Sequence, residues 1–327
     1  HGQLVAAEQW LPQSPPWASH RKMRWLQRYS LVQHGLSLAD VLKANNVSSG
    51  QIEAIYSPFF DALLCWPHIP QLITCHDLTP LVASNSLKAW FRYRFWQPRH
   101  CKVAKRLIAI SRYVADQLMM FGVDASSIEV IPNGITIERP RVTSPGGEDL
   151  LALARHDVNK NLPAMLRGVA QLQSTYPQWK GVLRIVGKTG RQTSLVKRLH
   201  RELPDPRQVE LIDAMSHQEL LTCMRSSLAL ISASSEEGFD YPVLEAKAEG
   251  IPTIVSDIAV HREFHDESSL LFSGEDDGTV FAHHVRALLC DSTLWGQLSR
   301  DGFVLAQRLS VEAQQSAIRC QFDSLAR

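Results

Sequence analysis

Short apolar runs of strand type alternate with longer amphipathic stretches along this chain. The alternation predicts parallel strands covered by helices on both faces, because neighbouring parallel strands need a crossover and bury both their sides. In the first part the strands fall at 3–6, 52–56, 71–75, 107–110 and 128–131. Helical periodicity runs over 21–45, with Trp25, Leu26, Tyr29 and Val32 on one face and a break at Gly35, and again from a cap at Ser111 to Phe121. Pro132, Asn133 and Gly134 supply turn chemistry, and the polar, Pro- and Gly-rich run 139–149 reads as an inter-domain linker. A second series follows, with strands at 150–154, 181–186, 209–212, 228–231 and 252–255 and helices at 162–175, 193–203, 216–225 and 242–249. Helices at 278–289 and from Ser310 onward close the chain. The predicted fold is α/β, with two Rossmann-like domains facing each other across a cleft, residues 1–138 and 139–309. The helix at 310–327 is expected to pack back towards the first domain.

A chain of 327 residues is long for one core, which agrees with two domains. Its formal net charge of +1 argues against a nucleic-acid partner. The balance is uneven: 13 Lys and Arg against 9 Asp and Glu over residues 1–138, and 21 against 24 over the remainder. The six cysteines are scattered without metal-ligand or disulfide spacing, and no long apolar run or leader is visible. A cytoplasmic protein, in peripheral contact with a membrane at most, is the expectation.

Candidate chemistry concentrates in SASSEEGFDYPVLEAKAEG at 232–250. Pro242 suits the first helical position, which makes Asp240 the N-cap and leaves the N–H groups of Val243, Leu244 and Glu245 as an anion-binding end. Glu237 in the turn and Glu245 in the helix flank that end, where one carboxylate can hold a sugar's hydroxyls and the other a ribose's. A capped helix with two solvated glutamates fits the same residues, since acids favour a first turn. The strand at 150–154 runs out into Arg155 and then Lys160, fixed cations able to balance a diphosphate without a metal. His76 and Asp77 end the strand at 71–75, the end at which parallel sheets bind ligands.

ARHDVNKN at 154–161, EEGFDYPVLEAKA at 236–248, PNGI at 132–135 and HREFHDESSLLF at 261–272 together resemble the retaining GT-B glycosyltransferases of family 4. The resemblance spans roughly residue 52 to the C-terminus. It implies that Arg155 and Lys160, with the Val243 and Leu244 N–H groups, hold a donor's diphosphate. It also implies that Glu237, in the run Glu237, Gly238, Phe239 and Asp240, meets the transferred sugar, and that Glu245 takes the ribose. His76 matches the histidine that reaches the sugar near its reacting carbon, so His76 and Glu237 are the expected catalytic pair. No cofactor or metal is expected, the leaving phosphate itself helping to deprotonate the acceptor. Glu263 matches an acidic position that shapes the nucleotide pocket, while His156, His261 and His265 read as structural or surface residues. Three positions depart from the pattern: Ala154 and Asp240 stand where glycine is usual, and the first strand with its Gly-rich loop is not found before 52–56.

These residues lead to a metal-independent, retaining hexosyltransferase that takes a UDP-sugar, with UDP-glucose the leading choice. Its acceptor is a sugar or lipid-linked hydroxyl in polysaccharide or glycoconjugate assembly. A UDP-sugar epimerase of the same architecture and a non-catalytic sugar-nucleotide-binding protein are the alternatives. The stretch 87–106, where Trp90, Phe91, Tyr93, Phe95 and Trp96 alternate with bases, fits either an anionic membrane surface or a core face with solvated bases. Pro98 is expected to interrupt its helix.

Overall fold

The computed structural model describes residues 46, 48–64, 66–78, 81 and 87–325. The strand expected at 3–6, the helix at 21–45 and the first strand sought ahead of residue 52 lie outside them.

The first sheet contains β1 (Ile55–Ser57), β2 (Gln71–Cys75), β3 (Arg106–Ala109) and β4 (Ile128–Val130), all parallel and in that spatial order. Every residue of β2 is buried, as a parallel strand covered on both faces requires, and its Gln71 side chain is satisfied by the Leu63 N–H and carbonyl at 2.6 and 2.9 Å. Between β2 and β3, helix α1 (Leu87–Phe91) passes through a π-helical turn at Arg92–Trp96 into α2 (Gln97–Val103). Pro98 therefore does not end the helix. The wider turn, in which Gln97 donates to the Arg92 carbonyl, accommodates a residue that lacks an N–H and would crowd a regular ladder. Helix α3 (Arg112–Met120) follows β3, with the Ser111 hydroxyl accepting the Val114 N–H at 3.1 Å.

The second sheet is fully parallel and built from β5 (Leu150–Leu153), β6 (Leu183–Val186), β7 (Val209–Ile212), β8 (Ala229–Ser232), β9 (Thr253–Ser256) and β10 (Leu270–Phe272). Helices α4 (Leu162–Thr175), α5 (Thr193–Arg201), α6 (His217–Ser226), α7 (Tyr241–Ala248), α8 (Ala259–His265) and α9 (Thr279–Cys290) connect or follow these strands. The spatial order β10-β9-β8-β5-β6-β7 places the reversal of winding between β5 and β8. In doubly wound sheets the ligand crevice opens there, at the strands' carboxyl ends.

Helix α10 (Ser292–Arg308) then lies along α7, and α11 (Val311–Leu325) returns to the first sheet, where Ile318, Phe322 and Leu325 pack around Leu72, Ile108 and Ile131. The sequence pattern does not call α8, β10 or α10. The first two are short, and in α10 glycines at 296 and 302 dilute the apolar stripe. Gly302 is needed where it stands, because a Cβ there would lie 2.9 Å from Cγ of Lys247. The chain crosses between the sheets twice, and the crossings bond to each other through Ile135 N–H to Leu309 O at 2.8 Å and Val311 N–H to Ile135 O at 3.2 Å. The PNG turn is this crossing, tied to α7 by the Tyr241 hydroxyl on the Gly134 carbonyl at 3.0 Å. Residues 139–149 lie against the second domain, with Val142 N–H donating to Glu249 O at 2.8 Å.

Candidate active site

The loops leaving β5 and β8 run side by side at the reversal point, joined by the Ser235 N–H on the Asn159 carbonyl at 2.8 Å. Lys160 ends a short turn at Val158–Lys160 that Asn161, in the left-handed region at φ 43°, redirects into α4. Its ammonium is ion-paired with the Glu237 carboxylate, which also accepts the Ser234 hydroxyl at 2.7 Å. Burial pulls the Lys160 pKa down, but the charges of Asp240 and Glu237 outweigh it, so the lysine is held above its usual range. Glu237 is raised, by burial first and then by the nearby Asp240 charge, against the pull of Lys160. The two loops thus bring Lys160 and Glu237 into direct contact. Arg155 lies on the same loop but is exposed, its Nε 3.3 Å from Asp157.

The end of α7 differs from expectation. Asp240 occupies the N-cap position, but its backbone is left-handed (φ 64°, ψ 68°) and its side chain makes no cap bond. This conformation explains why glycine is usual here, aspartate being among the few other residues that tolerate it. Val243 already donates to the Asp240 carbonyl at 3.1 Å, so its N–H is not available to a diphosphate. Among the described residues, the N–H groups of Asp240 and Tyr241 stand uncommitted at this end, Pro242 having none. Glu245 is half-buried on α7, and burial raises its carboxyl above the usual range.

Two residues expected at the sugar turn away from it. Phe239 is buried against Phe264 and Tyr241, with ring centroids 5.0 and 5.5 Å apart, and joins the apolar core it shares with the first domain. Asp240 points into the second domain, where its carboxylate accepts the Ser232 hydroxyl at 2.5 Å and His261 Nε2–H at 3.0 Å. Gly238 remains at the cleft, so close to the first domain that a Cβ would fall 2.1 Å from the His76 carbonyl. The His76 ring is exposed, and Nε2 bonds the Pro58 carbonyl at 2.8 Å, which fixes the tautomer and leaves Nδ1 as an acceptor.

Sequence reasoning missed what holds the halves together. Glu236 accepts the Tyr113 hydroxyl at 2.7 and 2.8 Å and the Gln117 amide at 3.0 Å. Glu263, expected to shape a nucleotide pocket, instead caps α3, accepting the N–H groups of Arg112 and Tyr113 at 2.8 and 3.2 Å. The Ser111 hydroxyl donates to Gly238 O at 2.9 Å. Contacts made more than a hundred residues apart leave no local signal; only the acidic residue next to Glu237 hinted at one.

Along 87–106 the aromatics divide. Tyr93 packs on the first core, whereas Phe91 and Phe95 are 56% and 57% exposed and stack on each other with centroids 5.8 Å apart. Arg94 lies over Phe95, and Arg99 lies over Trp96 at 4.5 Å. No helix among the described residues is long and apolar enough to cross a membrane.

Two family models match the chain, one for glycosyltransferase family 4 over residues 9–139 and one for glycosyl transferases group 1 over residues 147–291. The O-antigen chain mannosyltransferase RfbU of Salmonella typhimurium is 27% identical over 223 residues, which are 66% of this chain and 62% of that one. A GDP-mannose:cellobiosyl-diphosphopolyprenol alpha-mannosyltransferase of Xanthomonas campestris is 30% identical over 156 residues, 47% of this chain and 40% of its own. The chain thus spans about three fifths or less of these curated relatives. Among solved structures, Anabaena Alr3699/HepE in complex with UDP-glucose superposes with a TM-score of 0.72 at 17% identity, covering 90% of this chain and 84% of that one. A glycosyltransferase from Rickettsia africae gives 0.67 at 15% identity, covering 97% and 84%.

Proposed function

The chain belongs to the group 1 glycosyltransferases of family 4, and from that membership we propose that it transfers a hexose, with retention, from a nucleoside-diphosphate sugar to a hydroxyl of a sugar or lipid-linked acceptor in polysaccharide assembly. The observation that carries the reading is the Lys160–Glu237 pair beside the free N–H groups of Asp240 and Tyr241 at the reversal of the second sheet. A diphosphate seated on those N–H groups draws the Lys160 ammonium to itself and frees Glu237 for the sugar's hydroxyls. Arg155, exposed on the same loop, swings in as the second cation, and Glu245 holds the ribose. Charge developing on the departing diphosphate meets donors already in place, so electrostatic stabilisation supplies much of the rate. His76, whose backbone lies against Gly238 and whose ring is exposed, accepts a hydrogen bond from the sugar through Nδ1.

The sugar is mannose in this reading, not the glucose expected from the residues alone, because the relative matched over 223 residues and several shorter matches carry mannosyltransferase names, although a glycogen synthase also matches over 159 residues. The exposed Phe91 and Phe95 with their flanking arginines support an acceptor held at an anionic lipid surface. The test supplies GDP-mannose and UDP-glucose in turn, in chelator, with a lipid-linked sugar acceptor, and follows the product by NMR. An α-mannosyl product from GDP-mannose is expected. Transfer from UDP-glucose alone would restore glucose, an epimerised donor would make the chain an epimerase, and no turnover of either would overturn the reading.

A further inference from the structure

The transfer reading uses Lys160, Glu237 and the turn before α7, but it leaves unexplained why a carboxylate and an imidazole are buried together directly beneath that turn. Asp240 is 5% exposed and His261, brought from α8, is fully buried. The Asp240 carboxylate accepts from Ser232, the last residue of β8, at 2.5 Å and from His261 Nε2 at 3.0 Å. His261 Nδ1 meets the carbonyl of Ser256, the last residue of β9, at 2.8 Å, and the Ser256 hydroxyl donates to Ser234 O at 2.5 Å. From Ser234 the path continues through its hydroxyl to Glu237 and so to Lys160. The carboxyl ends of two strands are therefore stitched to the turn through the Asp240 carboxylate and the His261 ring, and the path is buried up to Glu237 and Lys160, which are partly exposed.

We propose that Asp240 and His261 are a pair of positioning residues that holds the 233–241 turn in its left-handed form and aims the free N–H groups of Asp240 and Tyr241 at the donor's phosphate. A glycine at this position would allow the left-handed backbone without fixing it. Aspartate adopts it at some strain and is then pinned by two bonds from below, so the turn is set before a donor arrives. The carboxylate also lies close enough to Lys160 to add to the charge that keeps its ammonium in the cleft. Two positions left as a surface or structural histidine and a departure from glycine thus form one device.

The proposal rests on the donor reading, and the experiment separates the two. UDP and GDP are titrated calorimetrically into the parent protein, Lys160→Ala, Asp240→Asn, Asp240→Gly, His261→Gln and the Asp240→Asn/His261→Gln double variant, with unfolding midpoints recorded for each. Asp240→Asn and His261→Gln should each weaken the better nucleotide about tenfold, and the double variant also about tenfold instead of the hundredfold expected of independent residues. Asp240→Gly, which keeps the permitted backbone but loses the anchor, should weaken it as much. A purely structural pair would lower the unfolding midpoint and leave the affinity of the folded variants at the parent value, overturning the proposal. Parent-like affinity in Asp240→Gly would overturn it as well. Loss of binding in Lys160→Ala without loss in the Asp240 variants would retain the donor site and discard the positioning role, whereas unchanged binding in Lys160→Ala would discard both.

Discussion

The carboxyl ends of the two sheets face one another, and they are finished in opposite ways. At the second sheet Lys160, Glu237, Asp240, His261 and three serines are bonded mainly to one another and mostly withdrawn from water. At the first sheet His76 is exposed and held by one backbone carbonyl, and the neighbouring helix turns Phe91 and Phe95 outward. A site that stabilises developing charge gains from dipoles fixed in advance, and the second sheet supplies them. A site that accepts varied hydroxyl partners needs access more than rigidity, which is what the first sheet offers. The division is bridged by α3, whose N-terminus is capped by Glu263 and whose Tyr113 and Gln117 hold Glu236, next to the residue paired with Lys160.

The largest effect should come where the two ends touch. Gly238 has an ordinary backbone angle, so alanine there causes no local strain, yet its Cβ would meet the His76 carbonyl at 2.1 Å. The domains must part by about an ångström, a displacement that can cost on the order of a hundredfold in rate. Gly238→Ala should therefore lower kcat about a hundredfold and leave nucleotide affinity within about threefold, since the nucleotide is assigned to the second domain alone. Equal losses in both would place the damage in the turn itself and erase the contrast between the halves.

Lys160→Ala probes the fixed half. Losing one charge-assisted contact to the diphosphate should weaken UDP or GDP by about 1.5–3 kcal/mol, roughly ten- to a hundredfold. The same change leaves Glu237 buried without its cation, so stability should fall too, and Glu237→Gln added to it should restore stability without restoring affinity. Denaturation and calorimetry on the three variants separate the two roles. Recovery of affinity in the double variant would show that the lysine serves only to neutralise Glu237.

How far the sequence disclosed this arrangement follows from what each element depends on. Most strands and helices of the second domain are legible because period and length are local, and Lys160 with Glu237 can be named because both lie in loops that leave strands of one sheet and match the family pattern. Of the N–H groups named at the start of α7, that of Val243 is taken up by the Asp240 carbonyl, because the left-handed turn there tightens the first helical turn and no propensity reveals φ. Phe239 and Asp240 read as sugar contacts because the motif gives their order and not their direction. The partners of Glu236 and Glu263 come from α3, more than a hundred residues away. Pro98 does interrupt the regular ladder, as expected, but as a π turn that carries the chain onward and not as a stop.

Helix α7 carries its own version of the contrast, with bonded charges at its cleft end and one lysine buried on its far face. Lys247 is 1% exposed and, among the described residues, bonds the Ser268 carbonyl and hydroxyl, both at 2.6 Å; burial lowers its pKa to about 7 despite the Asp301 charge. The unfolded lysine keeps its proton up to about pH 10.4, so between pH 7 and that value the unfolded state binds the extra proton and stability rises with pH, by about 1.4 kcal/mol per unit. Below pH 7 both states are protonated and the contribution is flat. Relative to Lys247→Met, the parent should therefore gain about 2 kcal/mol between pH 7.5 and 9 in urea unfolding. Parallel pH curves for the two proteins would mean that the lysine remains charged in the fold.

The smallest effect belongs to the open half. Arg92 is unsuited to a test, because it grips Asp61 through two bonds of 3.1 and 3.2 Å and its loss would disturb the domain. Arg94 has no ion pair among the described residues, and lies over the exposed Phe95. If this face rests on anionic lipid, each base contributes about 1 kcal/mol, screened within about 10 Å at 0.1 M salt. The protein should then sediment partly with phosphatidylglycerol vesicles at low salt and be released at high salt. Arg94→Glu should weaken binding by somewhat more than the value of one base, because it replaces an attraction with a repulsion, and Phe91→Ser with Phe95→Ser should weaken it further at any salt. Neither change should alter nucleotide affinity, since both lie on the first domain. Vesicle binding that survives all three substitutions would move the lipid contact elsewhere, and the absence of any binding at low salt would leave the stacked pair as a surface for a water-soluble acceptor.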